Sequence, residues 1–285
     1  MRFTRTHVAG AVATLTALVF AAVALAVPTP IDNVTLEAAG GDAEFDAENH
    51  NSQCGPDGDG ECYFTPVEDG SAFGLSDAFD GGVAIAVNGR PFFSQSDDGN
   101  LVGQQLTVGP QRLAGLRVTR IERALPGSPT LRSLIRLQNP KKKAKRRAIS
   151  IQSDLGSDTG TRVHRTSTGD RFVTDADRWV ITADDPLPAN LSDPPVTHVL
   201  NGKGRTVKPA IPAVIQGIDN FSARFNVRVG PRQTRYLLLF TELSGSLESS
   251  VAGARKYNRK RLNNALKAGI KKGVQRKVLN WDLVK

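Results

Sequence analysis

Phe225, Val227 and Val229 alternate with Arg224, Asn226 and Arg228. Only an extended strand with one buried and one wetted face satisfies that two-residue period. The same alternation sets Leu116, Val118 and Arg120 against Arg117, Thr119 and Ile121, and Leu131, Ser133, Ile135 and Leu137 against Arg132, Leu134 and Arg136. Leu106 and Val108 share a face, as do Ile149 and Ile151. Val83 to Val87 reads as a strand closed by the Asn88-Gly89 turn signal, and further breaks fall at 96–100, Gly109-Pro110 and Asn139-Pro140. Tyr236 to Phe240 is apolar at every position, which predicts a central strand covered on both sides. No helical period interrupts residues 75–243, so the expectation is an all-β chain, a β-sandwich over residues 75–245. A hydrophobic share of 39% with 23% charged residues excludes a multi-span membrane protein, a collagen and a wholly disordered chain.

The two ends of the chain read differently. Arg2, Arg5 and His7 precede an uncharged apolar run from Val8 to Ala26, and Ala24-Leu25-Ala26 is a small-x-small cleavage signal. That combination predicts a secretory signal peptide over residues 1–26, with an uncleaved anchor as the alternative. Residues 27–74 are acidic and poor in large apolar side chains, and they read as a partly disordered leader. Cys54 and Cys62 are the two cysteines of the chain, and an exported location favours a disulfide between them. Closing so short a loop limits its contribution to roughly 2.5 kcal/mol. A metal pair is the other reading, though two thiols alone cannot complete a zinc shell. At the far end, Leu262, Leu266, Ile270, Val274 and Val278 recur every four residues. This stripe predicts a basic helical tail over residues 246–285, broken into short helices by Gly269 and Gly273, packed on or next to the sandwich.

The net charge of +9 conceals a division. Residues 27–89 hold thirteen Asp or Glu and no Lys or Arg, whereas residues 90–285 carry +20. The basic charge concentrates in Lys141, Lys142, Lys143, Lys145, Arg146 and Arg147, and again in the tail with Lys260, Lys267, Lys271, Lys272, Arg276 and Lys277. Either the acidic leader neutralises these groups by lying against them, or they meet an external polyanion such as an anionic cell-wall polymer or a membrane surface. Specific nucleic-acid recognition is not expected, because no aromatic strand motif or recognition helix accompanies the charge.

Catalytic signatures are sparse. The Gly-x-Ser-x-Gly elbow, the phosphate-cradling Gly-Lys-Ser/Thr loop and His-Glu-x-x-His are all absent. His164 and His198 fall on strands, where a single histidine is ordinarily structural. Asp154, Asp158, Asp170 and Asp177 lie in Gly-rich turns. There they can cap the turn, hold calcium (Asp154 and Asp158 above all) or pair to cleave a sugar bond. Asp57, Asp59 and Glu61 follow the spacing of a calcium loop, but Cys62 stands where such a loop needs Gly. No cofactor is expected, calcium being the one alternative these residues leave open.

Asp80-Gly81-Gly82, Val87-Asn88-Gly89, Arg136-Leu137-Gln138-Asn139-Pro140, Asp154-Leu155-Gly156-Ser157-Asp158, Thr168-Gly169-Asp170 and Asp177-Arg178-Trp179 form a series. It continues in Gly230-Pro231-x-x-Thr234, Leu237-Leu238-Leu239-Phe240 and Asn280-Trp281-Asp282. Together these segments resemble a β-rich domain of exported bacterial surface proteins of the actinobacterial type, over roughly residues 75–285. The resemblance implies an extracellular module with no assigned reaction and no catalytic residues to carry over. The expectation is therefore a secreted, non-catalytic binding or structural module of the cell envelope. The rival is a carbohydrate-active sandwich enzyme that uses the loop carboxylates.

Overall fold

The computed structural model describes residues 27–31, 34–38, 40, 43–49, 64–92, 98–184, 192–203, 207–214 and 219–284. The expected signal peptide, the Cys54–Cys62 pair and the Asp57, Asp59 and Glu61 loop lie outside these residues. In chain order the strands are β1 (Val27–Pro30), β2 (Val34–Glu37), β3 (Ala43–Asn49), β4 (Phe64–Ala72), β5 (Gly81–Val87), β6 (Arg90–Pro91), β7 (Asp98–Val102), β8 (Gln105–Leu113), β9 (Leu116–Ala124), β10 (Thr130–Gln138), β11 (Lys145–Asp154), β12 (Thr161–Thr166), β13 (Trp179–Asp184), β14 (Val196–Val199), β15 (Pro209–Val214), β16 (Asn220–Val229) and β17 (Thr234–Leu243). After them come helix α1 (Leu247–Ala254) and the single turn α2 (Lys272–Gln275).

Two antiparallel sheets face each other. One runs β1-β7-β8-β9-β10-β17-β14-β13-β12, the other β15-β16-β11-β5-β4-β3-β2, with β6 paired to β5. The alternation read from the sequence sets which side chains meet between them. Val118, Ile135, Leu137 and Leu237 of the first sheet pack against Val87, Ile149, Phe225 and Val227 of the second. The all-β sandwich is as expected.

The boundary expected at residue 75 does not exist. β2, β3 and β4 complete the second sheet, β1 edges the first, and Ile31, Leu36, Phe45 and Val67 are fully buried in the shared core. Composition hid a two-residue period here: Val34 and Leu36 face inward, and Thr35 and Glu37 face water.

β17 is covered on both sides, as its apolar run requires. Leu237, Leu239 and Leu243 enter the sandwich core. Tyr236, Leu238 and Phe240 enter a second core beneath the C-terminal segment, with Tyr257, Leu262, Leu266, Ile270, Val278 and Trp281. The i+4 stripe is thus buried as predicted, but most of it is not helical. Residues 259–271 form turns, and α1 lies ahead of the stripe, started by a Ser246–Ser249 capping box. The stripe folds as turns because other groups take its backbone partners. Asn263 Oδ1 accepts from Leu266 N–H at 2.9 Å, and the buried Arg132 donates to the carbonyls of Ala268 and Leu266 at 2.6 and 3.2 Å. Burial, and then Arg123, lower the pKa of that guanidinium to about 10. Asn280 ends the segment by acting as a substitute strand. Its Oδ1 accepts from Leu238 N–H at 3.0 Å, and its Nδ2 donates to Leu238 O and Leu200 O at 2.8 and 2.7 Å. Trp281 stacks beside Gly202, where a Cβ would fall 2.6 Å from the indole, so only glycine admits it. Among the described residues no helix is long and apolar enough to cross a membrane.

Candidate functional site

Antiparallel pairing sends the turns at 88–89, 114–115, 139–144 and 230–233 to one end of the sandwich. The segments around them, 86–92, 110–119, 134–148 and 226–237, contain thirteen Lys or Arg and no Asp or Glu. Lys141, Lys142 and Lys143 are exposed in the loop that crosses from β10 of one sheet to β11 of the other. Asn139, buried at its base, donates to Lys143 O at 2.8 Å and Gly230 O at 3.0 Å and accepts from Lys141 N–H at 3.0 Å. The lysines are therefore held on a fixed turn. Arg146 is exposed and pairs in register with Arg228, and Arg112 pairs with Arg117. Like charges directly across a ladder are destabilising.

Lys145 and Arg147 sit deeper. With Arg90, Asn88, Ala114 and Gly115 they line a cleft of about 570 Å³ between the two sheets. Arg147 Nε donates to Ala114 O at 2.6 Å, and its Nη1 donates to Arg146 O at 2.7 Å. Asn88 Oδ1 accepts from Ala148 N–H at 2.8 Å and fixes the opposite wall. Among the described residues no carboxylate lines the cleft.

The tail cations spread this charge over the outer face of the first sheet. Lys260, Lys271, Lys272, Arg276 and Lys277 are exposed, and Lys267 is half-buried. Lys277 O accepts from Tyr236 N–H at 3.1 Å, which brings Lys277 beside the start of β17 at the basic end. Arg90, Arg112, Arg117, Arg136, Arg228, Arg232 and Arg235 were not among the polyanion-binding candidates read from the sequence. They are scattered along the chain, and only the strand order gathers them.

The other end is acidic. Glu68, Asp69, Asp77, Asp80, Asp154, Asp158, Asp184, Asp193 and Asp219 cluster there, and Asp80, Asp158 and Asp219 can bring three carboxylate oxygens within 4.8 Å of one another. Burial first, and then Asp219, push the Asp154 carboxyl up to about 6. Burial first, with Asp184 and Asp158 prevailing over a hydrogen bond from Ser192, pushes Asp193 up to about 6. Asp77 and Asp80 are raised in the same direction by burial and by their acidic neighbours. Of the expected calcium residues, Asp154 and Asp158 do come together here, joined by Asp80 and Asp219. Such a group can share protons or offer three of the roughly six to eight oxygens that calcium takes.

Asp170 and Asp177 lie elsewhere, and their carboxylates are committed to the chain itself. Asp177 Oδ1 accepts from Thr168 N–H at 3.0 Å and Thr168 Oγ1 at 2.9 Å, and its Oδ2 from Thr174 N–H at 2.9 Å and Thr174 Oγ1 at 3.0 Å. Burial raises its pKa, but these bonds outweigh burial and hold the carboxyl below the usual range. Asp170 accepts from Phe172 N–H at 3.0 Å. Sugar cleavage needs two carboxylates about 5–10 Å apart across a cleft. Asp154 instead hydrogen-bonds Asp219. His198 is buried, stacked 4.1 Å from Phe221 and bonded to Thr182 Oγ1 at 3.0 Å, and burial depresses its pKa to about 3. His164 Nε2 meets Asp184 O at 2.9 Å. Both histidines have structural partners.

No family model matches the chain, and a search of curated proteins finds none similar to it.

Proposed function

We propose that the protein is an exported, non-catalytic module of the bacterial cell envelope that binds anionic polymer through its basic end. The observation that carries this reading is the gathering of thirteen Lys and Arg, from four separate segments without a single Asp or Glu, at one end of the sandwich. The carboxylate cluster at the other end is too distant to neutralise this charge. β11 runs from Lys145 to Asp154, from one pole to the other. At about 3.3 Å per residue that is roughly 30 Å, several times the ~8 Å over which charges act at physiological salt. The apolar run and cleavage signal before residue 27 support export.

The test is retention of the full mature chain on isolated envelopes and on an immobilised polyanion at low and high salt. Wild type binds at low salt and elutes as salt rises. Replacing Lys141, Lys142, Lys143 and Arg146 by Gln, together with Lys271, Lys272, Arg276 and Lys277, abolishes salt-sensitive retention while leaving the fold intact. Retention unchanged by those replacements defeats the reading.

A further inference from the structure

The basic end contains one place where charge converges instead of spreading. Arg90, Lys145 and Arg147 project into the cleft between the Asn88-Gly89 and Ala114-Gly115 turns. None of the three makes an ion pair with a described carboxylate. One of the three is already aimed. Arg147 has spent Nε and Nη1 on main-chain carbonyls, so its guanidinium is fixed and its Nη2 edge stays available. A fixed guanidinium forfeits little freedom when it takes a ligand. A Cβ on Gly115, whose φ is +83°, would fall 3.4 Å from Lys145 Nζ and 3.7 Å from Arg147 Nη2, so both cationic nitrogens lie close against the Gly115 main chain. Arg90 lines the same cleft, so three cationic side chains converge on it.

We infer that this cleft is a binding site for a single phosphoryl group, with Arg147 Nη2 donating to it and Lys145 and Arg90 supplying the flanking charge. The inference rests on the reading of the basic end as a polyanion-binding surface and names the group bound at one cleft within it. A planar carboxylate satisfies one guanidinium fork. A tetrahedral phosphoryl group presents oxygens in several directions, which suits cations arriving from β6 and β11. The cleft of about 570 Å³ opens to solvent, which leaves room for the alcohol that the phosphate esterifies.

Titrating the full mature chain with inorganic phosphate at constant ionic strength, while following amide chemical shifts, tests this. Phosphate produces saturable shifts at Gly89, Gly115, Arg147 and Ala148. Lys145→Gln and Arg90→Gln each weaken binding at least about fivefold. Replacing Lys141, Lys142 and Lys143 by Gln removes more charge nearby yet changes affinity by less than about twofold. Absence of saturable shifts overturns the site. An equal loss in the loop triple reduces it to diffuse attraction, and equal affinity for sulfate overturns the choice of phosphoryl. If phosphate fails while salt-sensitive polyanion retention persists, the cleft falls and the basic-end reading stands. If phosphate binds but polyanion is not retained, the basic-end reading falls and the cleft remains as a small-anion site.

Discussion

Arg120 and Glu122 face into the sandwich core, fully buried, where alternation calls for apolar side chains. The Arg120 Nε donates to Glu122 Oε1 at 2.7 Å, and its Nη1 reaches across to Val83 O at 2.9 Å in the opposite sheet. Val83 has φ +58°, an unfavourable conformation for a β-branched residue, and Ser153 Oγ accepts from its N–H at 2.9 Å. The pair therefore clamps a bulge of β5. Glu122→Gln leaves a buried guanidinium without its countercharge and costs about 3–5 kcal/mol in urea unfolding, whereas replacing both residues with Met and Leu costs less. Asn280→Ala deprives Leu238 N–H, Leu238 O and Leu200 O of their partner. At about 1–3 kcal/mol for each buried orphan, partly relieved by water, its loss is roughly 3 kcal/mol in the same measurement. Alternation correctly placed Arg120 with Leu116 and Val118 on one face. It could not show that a cation on that face would find a carboxylate two residues along and a carbonyl in the other sheet.

Among the elements, strands were legible and their owners less so. The strands over 106–151 and 225–229 declare themselves by an apolar face opposite a polar one, and 236–240 by an unbroken apolar run. β2 and β3 carry the same signal in Val34-Thr35-Leu36-Glu37 and Ala43-Glu44-Phe45-Asp46, but acidic composition drowned it. Removing residues 27–49 uncovers Ile31, Leu36 and Phe45, each worth about 1.5–3 kcal/mol of burial. That total is comparable to the 5–15 kcal/mol of a whole domain. A chain beginning at residue 75 therefore fails to give a dispersed amide spectrum, and a dispersed one would restore the boundary that composition suggested. The tail shows the converse: its buried positions follow from the four-residue spacing, but its conformation does not. Apolar spacing reports which side chains seek oil. It is silent about Arg132 and Asn263, which take the backbone groups a helix would have used.

For the whole molecule, the separation of charge into two poles is legible only once strand order is known, since no stretch of sequence contains either pole entire. It has a consequence for stability. The folded pKa values of Asp154 and Asp193, about 6, lie above their unfolded values. The stabilisation tied to their protons is therefore complete below about pH 4 and is lost as pH rises through 6. His198, depressed to about 3, acts in the opposite sense: folding favours its neutral form, so stability falls as pH drops below about 6.5. Isolating one arm requires a variant. Asp154→Asn raises the melting temperature at pH 7.5, and the gain shrinks toward pH 5; a gain independent of pH would assign the effect to packing instead. The two poles also dictate posture. Under the proposed reading the molecule meets the anionic polymer with its basic end, and its strands run away from the polymer. The face it then turns outward is crowded with carboxylates and repels the next length of polymer. Coverage built this way stops at a single layer about one strand length thick.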